Sequence, residues 1–118
     1  MVNNSRIKFR AYNVRDKKMI YSQDQKYEGE IFYIAHRYNN LDIMQFTGIR
    51  DEKGNEIYEG DILKEYEHYE GDIFFKERLL EVVFESGSFM GKDIKNKGIY
   101  AELDTGTFLI LKNKYSEN

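Results

Sequence analysis

Apolar and polar residues alternate over Ile7–Tyr12, near the start of the chain. A period of two places successive side chains on opposite faces of a β-strand. The pattern therefore predicts a strand with Lys8, Arg10 and Tyr12 together on its exposed face. The polar segment that follows, Asn13–Lys18, is predicted to be a turn.

Further short runs rich in β-branched and aromatic residues predict more strands, because such residues favour the pleated sheet surface. They are Met19–Tyr21, Glu30–His36, Leu41–Thr47, Ile62–Tyr66, Leu79–Phe84, Phe89–Met90, Ile99–Leu103 and Thr107–Leu111. Ser22–Gly29 is polar and predicts a loop. Asp104–Gly106 predicts a tight hairpin turn between the last two strands.

The pattern as a whole indicates a mainly β protein. No window of ten or more residues gives a helical stripe, and glycine and aspartate punctuate the short runs. Many short strands joined by such turns predict a small closed barrel or roll of antiparallel strands. With 118 residues, the chain is expected to form a single domain over residues 1–118.

One five-residue sequence occurs twice, as Tyr58–Ile62 and again as Tyr69–Ile73. Two copies so close together cannot form a solenoid. One interpretation is a chance or duplicated turn, with each copy starting a strand. The other is that the second copy belongs to an inserted hairpin at the rim, where it presents an acidic surface.

The composition limits the compartment and the chemistry. The chain has no cysteine, so it can form neither a disulfide nor a thiolate metal site. Met1–Arg6 lacks the apolar region of a signal peptide. The longest strictly apolar run, Ile31–Ala35, is far shorter than the roughly 20 residues of a membrane span. We therefore expect a cytoplasmic protein with no membrane partner.

Charge is unevenly distributed although the net charge is only −3. Arg6–Lys18 is mostly basic and Glu59–Asp72 is mostly acidic, which predicts two candidate partner surfaces. The basic surface comprises Lys8, Arg10 and Tyr12, and the acidic surface comprises Tyr58, Glu59, Asp61, Tyr66, Tyr69, Glu70 and Asp72. We expect the chain to bind a protein partner or another copy of itself. The alternative is nucleic acid, held by the basic strand through phosphate contacts and base stacking.

Residues for catalysis or metal binding are scarce. The only histidines are His36 and His68, and His68 with Glu70 would give a metal two ligands where structural zinc normally takes four. Asp51–Glu56 lacks the ligand spacing of a calcium loop. The sequence therefore predicts no catalytic residue, no metal and no cofactor, and the protein is expected not to be an enzyme.

Three segments resemble the YopX family of small phage and prophage proteins. They are Arg6–Tyr12, Lys17–Tyr21 and, most specifically, Met44–Leu63. The resemblance implies a mainly β fold related to SH3-type barrels, in a phage-derived protein of the bacterial host cytoplasm. It implies no catalytic residues.

Overall fold

The computed structural model describes residues 8–22 and 41–116, and every regular element in these ranges is a β-strand. The strands are β1 (Phe9–Asn13), β2 (Lys18–Tyr21), β3 (Leu41–Arg50), β4 (Glu56–Tyr58), β5 (Asp61–Glu65), β6 (His68–Glu70), β7 (Ile73–Phe75), β8 (Arg78–Glu85), β9 (Ser88–Asp93), β10 (Tyr100–Ala101) and β11 (Phe108–Asn113). The predicted mainly β fold is confirmed, while the SH3-like detail stays a prediction. The predicted strand Glu30–His36, and the predicted loop beyond Ser22, lie outside the described residues.

The chain divides into two compact units, Met1–Gly48 and Ile49–Asn118. In the first, β1 lies between β2 and β3 and pairs antiparallel with both. The first unit buries Ala11, Met44 and Phe46. Of these, Ala11 comes from the alternating pattern of β1. The predicted strand, turn and returning strand at the start of the chain are thus present.

The second unit contains a five-stranded antiparallel sheet in the order β10-β9-β8-β5-β11. The sheet supplies most of a hydrophobic core whose members are Ile57, Leu63, Leu80, Val82, Ala101 and Phe108. Packing here is tight, since a Cβ at Gly91 would lie 2.9 Å from Leu80 Cδ1. Any larger residue at position 91 would press on the side chains of Leu80 and Leu103.

The hairpin predicted around Asp104–Gly106 is wrong. The turn is present, but β10 pairs with β9 and β11 pairs with β5, at opposite edges of the sheet. The Gly106 amide donates to the Arg50 carbonyl at 2.8 Å instead of closing a hairpin. Pairing with β5 places Phe108 in the core, where only 1% of it is exposed. This burial favours the long-range pairing over the local one.

Asp51, in the segment that resembles the YopX family, organises a turn and fastens it to the last strand. One carboxylate oxygen accepts from the amides of Lys53 and Asn55, at 3.0 and 2.8 Å. The other accepts from the amide of Ile110 at 3.2 Å. Burial by itself raises the pKa of Asp51, but the hydrogen bonds from Asn55, Ile110 and Lys53 outweigh it, so this pKa is lowered. The buried carboxylate therefore has a structural role.

The described ranges, 8–22 and 41–116, contain no helix long and apolar enough to cross a membrane.

Candidate functional site: a groove beside a two-stranded ribbon

Each copy of the repeated sequence leads into a strand, as the first interpretation predicted, and the second copy also lies in a hairpin, as the second interpretation predicted. Strands β6 and β7 pair antiparallel, with Tyr69 opposite Phe74 and Glu70 opposite Ile73. The two-residue connection is Gly71 and Asp72, and of these only Gly71 has a positive φ, at 61°. This is the pattern of a type II′ turn, which matches the twist of a hairpin. We call strands β6 and β7 with this turn the ribbon.

The two faces of the ribbon carry different aromatic pairs. On one face the rings of His68 and Phe75 stack at 5.0 Å between centroids, with 9° between their planes. On the other face Tyr69 contacts Phe74, also at 5.0 Å. Tyr69 is 71% exposed and Phe74 is 45% exposed. We call this second pair the outer face, because it is aromatic and lies open to solvent.

The face with His68 and Phe75 borders a groove of about 630 Å³ within the second unit. The groove is lined by Glu65, Tyr66, Glu67, His68, Glu70, Phe75, Arg78, Ile99, Tyr100, Ala101, Glu102, Asp104, Thr107 and Phe108. The walls of the groove therefore combine rings and aliphatic groups with carboxylates. Such a mixture suits a ligand that has both apolar and charged parts.

An ion pair lies where the sheet meets the ribbon. Glu65 on β5 lies opposite Arg78 on β8, and Arg78 Nε donates to Glu65 Oε1 at 2.6 Å. Only 8% of the Glu65 side chain is exposed. The hydrogen bond to Glu65 is the main cause that raises the pKa of Arg78, against the opposing effect of burial. The guanidinium is thus held in place by a carboxylate that is itself buried.

Carboxylates outnumber cations in the groove. Four acidic side chains line it besides Glu65, namely Glu67, Glu70, Glu102 and Asp104, whereas Arg78 is its one lysine or arginine. Because Glu65 already binds Arg78, the remaining carboxylates give the groove a negative potential.

Tyr66 gives the groove a fixed aromatic wall. Its hydroxyl donates to Glu52 Oε1 at 2.9 Å, and the ammonium of Lys64 lies 4.9 Å from the centre of its ring. The hydrogen bond to Glu52 is the main cause that raises the pKa of Tyr66. Tyr66 therefore remains a neutral ring at physiological pH.

The exposed members of the predicted acidic surface divide into two groups. Tyr66 and Glu70 line the groove. Tyr69 lies on the outer face of the ribbon and Asp72 in its turn, both exposed. Glu59 is half-buried.

For Tyr58 and Asp61 the surface assignment is wrong, since each is only 2% exposed. The Asp61 carboxylate accepts from the Tyr58 amide at 2.8 Å, so it caps a turn inside the protein.

The predicted basic surface is also incomplete. Arg10 is only 4% exposed and Ala11 is fully buried, so both faces of β1 are covered and the exposed position predicted for Arg10 is wrong. Pairing with β2 and β3 occupies only the two edges of β1; its faces are buried by packing, which the alternation of residues does not reveal. Lys8 places its ammonium 5.6 Å from the centre of the Phe46 ring, and Tyr12 is half-buried.

Sequence reasoning missed the groove residues that come from beyond the ribbon turn. Chief among them are Phe75, Arg78, Tyr100, Glu102 and Asp104. No local motif marks them, because they meet only through the pairing of distant strands. Arg78 had one usable signal, since an arginine directly before the predicted strand Leu79–Phe84 favours a cross-strand partner.

Within residues 8–22 and 41–116, no three histidine, aspartate or glutamate side chains are grouped so that they could hold a metal ion. Even His68 and Glu70, which approach to 3.5 Å, form only a pair.

Comparison with known proteins shows to which family the chain belongs. The family model described as YopX protein matches residues 8–108. The chain belongs to the YopX family. This YopX-family chain is also similar to a solved structure, protein EF1440 from Enterococcus faecalis, with 20% sequence identity and a TM-score of 0.55. The match covers 92% of this chain and 93% of that one, and it shows a shared fold. No curated protein matches the sequence significantly.

Proposed function

We propose that this YopX-family protein is a non-enzymatic interaction module that binds a protein partner through the ribbon and its groove. The proposal keeps the setting that the family resemblance implies, a phage or prophage protein in the cytoplasm of a bacterial host. The observation that carries it is the outer face of the ribbon, where Tyr69 is 71% and Phe74 is 45% exposed.

The ribbon is physically suited to a partner. A two-stranded hairpin is marginally stable in water unless a further layer packs on it. Ile73, the first residue of β7, is 63% exposed as well, on the face of the ribbon opposite to that of Tyr69 and Phe74. Tyrosine and phenylalanine are enriched at the centres of protein interfaces, because they bury a large area at low entropic cost.

A pull-down followed by titration tests the proposal. Tagged protein is captured from a bacterial host with and without nuclease, and each captured protein is purified and titrated calorimetrically against the chain. The double variant Tyr69→Ser/Phe74→Ser is expected to weaken binding at least about tenfold, since two aromatic anchors are lost. Light scattering detects a second copy of the chain as the partner.

The control is a second aromatic pair, in which one of the two rings is exposed. Phe84 and Phe89 also contact each other on neighbouring strands, at 4.9 Å, and Phe84 is 51% exposed. The variant Phe84→Ser/Phe89→Ser is expected to keep the affinity of the wild type. Equal losses from both variants would contradict a role specific to the ribbon.

The nucleic-acid alternative predicts a different result. It requires recovery of nuclease-sensitive RNA or DNA whose binding survives the ribbon variant and is lost on Lys8→Glu. That outcome would overturn the proposal. The structure gives the alternative no added support, because Arg10 is buried and the groove beside the ribbon is acidic.

A further inference from the structure

The lining of the groove specifies the chemistry of what it binds. Four carboxylates besides Glu65 face a single guanidinium, and that guanidinium is already bonded to Glu65 at 2.6 Å. The rings of Tyr66, Phe75 and Tyr100 lie along the same groove. A cationic side chain gains from both, through attraction to the carboxylates and through contact with the ring faces.

We propose that the groove binds a basic, extended segment of the partner protein, in which arginine or lysine alternates with apolar residues. The inference rests on the proposed function and names the chemistry of the partner. The charged groups of the segment meet Glu67, Glu102 and Asp104, while its apolar residues and the stems of its cationic side chains lie against the rings.

The extended conformation follows from the ribbon. In the described residues, β6 is paired with β7 alone, so its second edge is open to a further strand. An added strand gains main-chain hydrogen bonds from such an edge, and alternate side chains then point toward the same surface. A segment with a two-residue period of cationic and apolar residues fits this geometry.

Other classes of ligand fit the lining less well. Nucleic acid is disfavoured, because its phosphates would approach an excess of carboxylates. A bound metal is disfavoured too, because the described residues offer no group of three ligands. A small polyamine shares the charge of a basic segment but has no apolar side chains for the rings, which makes it the informative competitor.

Fluorescence anisotropy with a defined probe tests the inference. The probe is a fluorescein-labelled decapeptide of alternating arginine and valine, and the comparison peptide has glutamate in place of arginine. We expect saturable binding of the arginine peptide, no binding of the glutamate peptide, and affinity that falls as salt rises. Spermidine at the same charge concentration is expected to compete poorly.

Charge-reversing variants locate the binding. Glu67 and Glu102 are exposed side chains of the groove, so Glu67→Lys and Glu102→Lys should leave the fold intact. Each is expected to weaken binding of the arginine peptide roughly tenfold, because like charges then face each other. Asp72→Lys makes the same charge change in the ribbon turn, outside the groove, and is expected to bind like the wild type. Amide shifts in NMR spectra should cluster at residues 66–70 and 99–104.

The outcomes separate this inference from the proposed function. Equal binding of both peptides, equal effects of the Glu102 and Asp72 variants, or full displacement by spermidine would overturn the basic-segment inference. In each case the proposed function still stands if a purified partner loses affinity with Tyr69→Ser/Phe74→Ser. If the arginine peptide binds the groove while no partner depends on the outer face, the ribbon proposal fails and the groove inference survives.

Discussion

The same five residues, Tyr-Glu-Gly-Asp-Ile, occur at two places in the second unit, and they are mostly buried in one and exposed in the other. In the first copy, which we call the core turn, Tyr58 is 2% and Ile62 is 7% exposed. In the second copy, which we call the ribbon turn, Tyr69 is 71% and Ile73 is 63% exposed. A five-residue match therefore does not decide whether a segment builds the core or the surface.

The surroundings of each copy account for the difference. The core turn lies between Ile57 and Leu63, both fully buried, and its glycine is bonded on both sides. The Gly60 amide donates to the Val82 carbonyl at 2.8 Å, and the Gly60 carbonyl accepts from the Lys114 amide at 2.7 Å. The ribbon turn has its strand pairing within the ribbon itself. The first copy is part of the core because it bonds to residues distant in sequence, Val82 and Lys114, which the repeated sequence itself does not specify.

The largest expected effect is the difference in stability between alanine variants of the two repeated isoleucines, Ile62 and Ile73. Ile62→Ala should lower the free energy of unfolding by about 2–5 kcal/mol, because it removes a buried side chain and leaves a cavity. Ile73→Ala should change it by less than about 0.5 kcal/mol, because the side chain is mostly in solvent. Urea unfolding of the two variants measures the contrast. Similar losses in both would show that the ribbon turn is also part of the cooperative core.

The same contrast explains how far the sequence predicts the fold. Alternating and β-rich runs gave the strands β1, β3, β5 and β8, and glycine with aspartate gave the turns, because these signals are local. The sequence does not indicate to which edge of the sheet β11 belongs, since β11 pairs with β5 through residues that are 43 to 52 positions apart. Solvent exposure of Arg10 was predicted wrongly for a similar reason. Alternation predicts two faces, but it does not tell whether both are covered.

The candidate site was predicted in part. The acidic segment gave Tyr66 and Glu70, which line the groove, because charge and aromatic content are visible in the sequence. It also gave Tyr58 and Asp61, which are buried, because turn-capping aspartates and exposed ones look alike in sequence. Tyr100, Glu102 and Asp104, which also line the groove, come near the ribbon only through the folding of the sheet.

The second test compares the two aspartates. The Asp61 carboxylate accepts from the Tyr58 amide in the buried core turn. Asp61→Ala leaves that amide without this acceptor and should cost about 1–3 kcal/mol of stability. Asp72→Ala should cost less than about 0.5 kcal/mol, because Asp72 is exposed in the ribbon turn. Thermal unfolding gives both values, and the order of the two melting temperatures decides the test.

The third test applies one backbone strain to both turns. Gly60 has φ of 85° and Gly71 has φ of 61°, so alanine at either position is strained by about 1–2 kcal/mol. Gly60→Ala should lower the global stability by that amount. Gly71→Ala should instead speed amide exchange within residues 68–75 and leave the global unfolding midpoint nearly unchanged, because the ribbon can open locally. A fall in the global midpoint with Gly71→Ala would mean that the ribbon unfolds together with the core.

The smallest expected effect is a change with pH in how much the buried residue Asp51 stabilises the folded protein. Asp51 fastens the turn before β4 to β11, and its pKa in the folded protein lies below the ordinary value of 3.8. A carboxyl whose pKa is lowered by folding adds stability above the unfolded pKa, and this stability is lost as the pH falls through the folded pKa. The stability difference between the wild type and Asp51→Asn should therefore be largest near neutral pH and shrink below about pH 4.

Ile62→Ala is the control for this titration. Its destabilisation comes from lost packing and involves no titratable group, so its difference from the wild type should stay constant across the same pH range. Asp93→Asn should behave like Asp51→Asn, because the pKa of Asp93 is also lowered. Burial raises this pKa, but the hydrogen bonds from Asn96 and Lys95 outweigh that effect. Parallel curves for Asp51→Asn and Ile62→Ala would mean that Asp51 acts through shape alone. If the stabilities of both aspartate variants instead approach that of the wild type at low pH, then charged, hydrogen-bonded carboxylates stabilise the turns on which the core of the second unit depends.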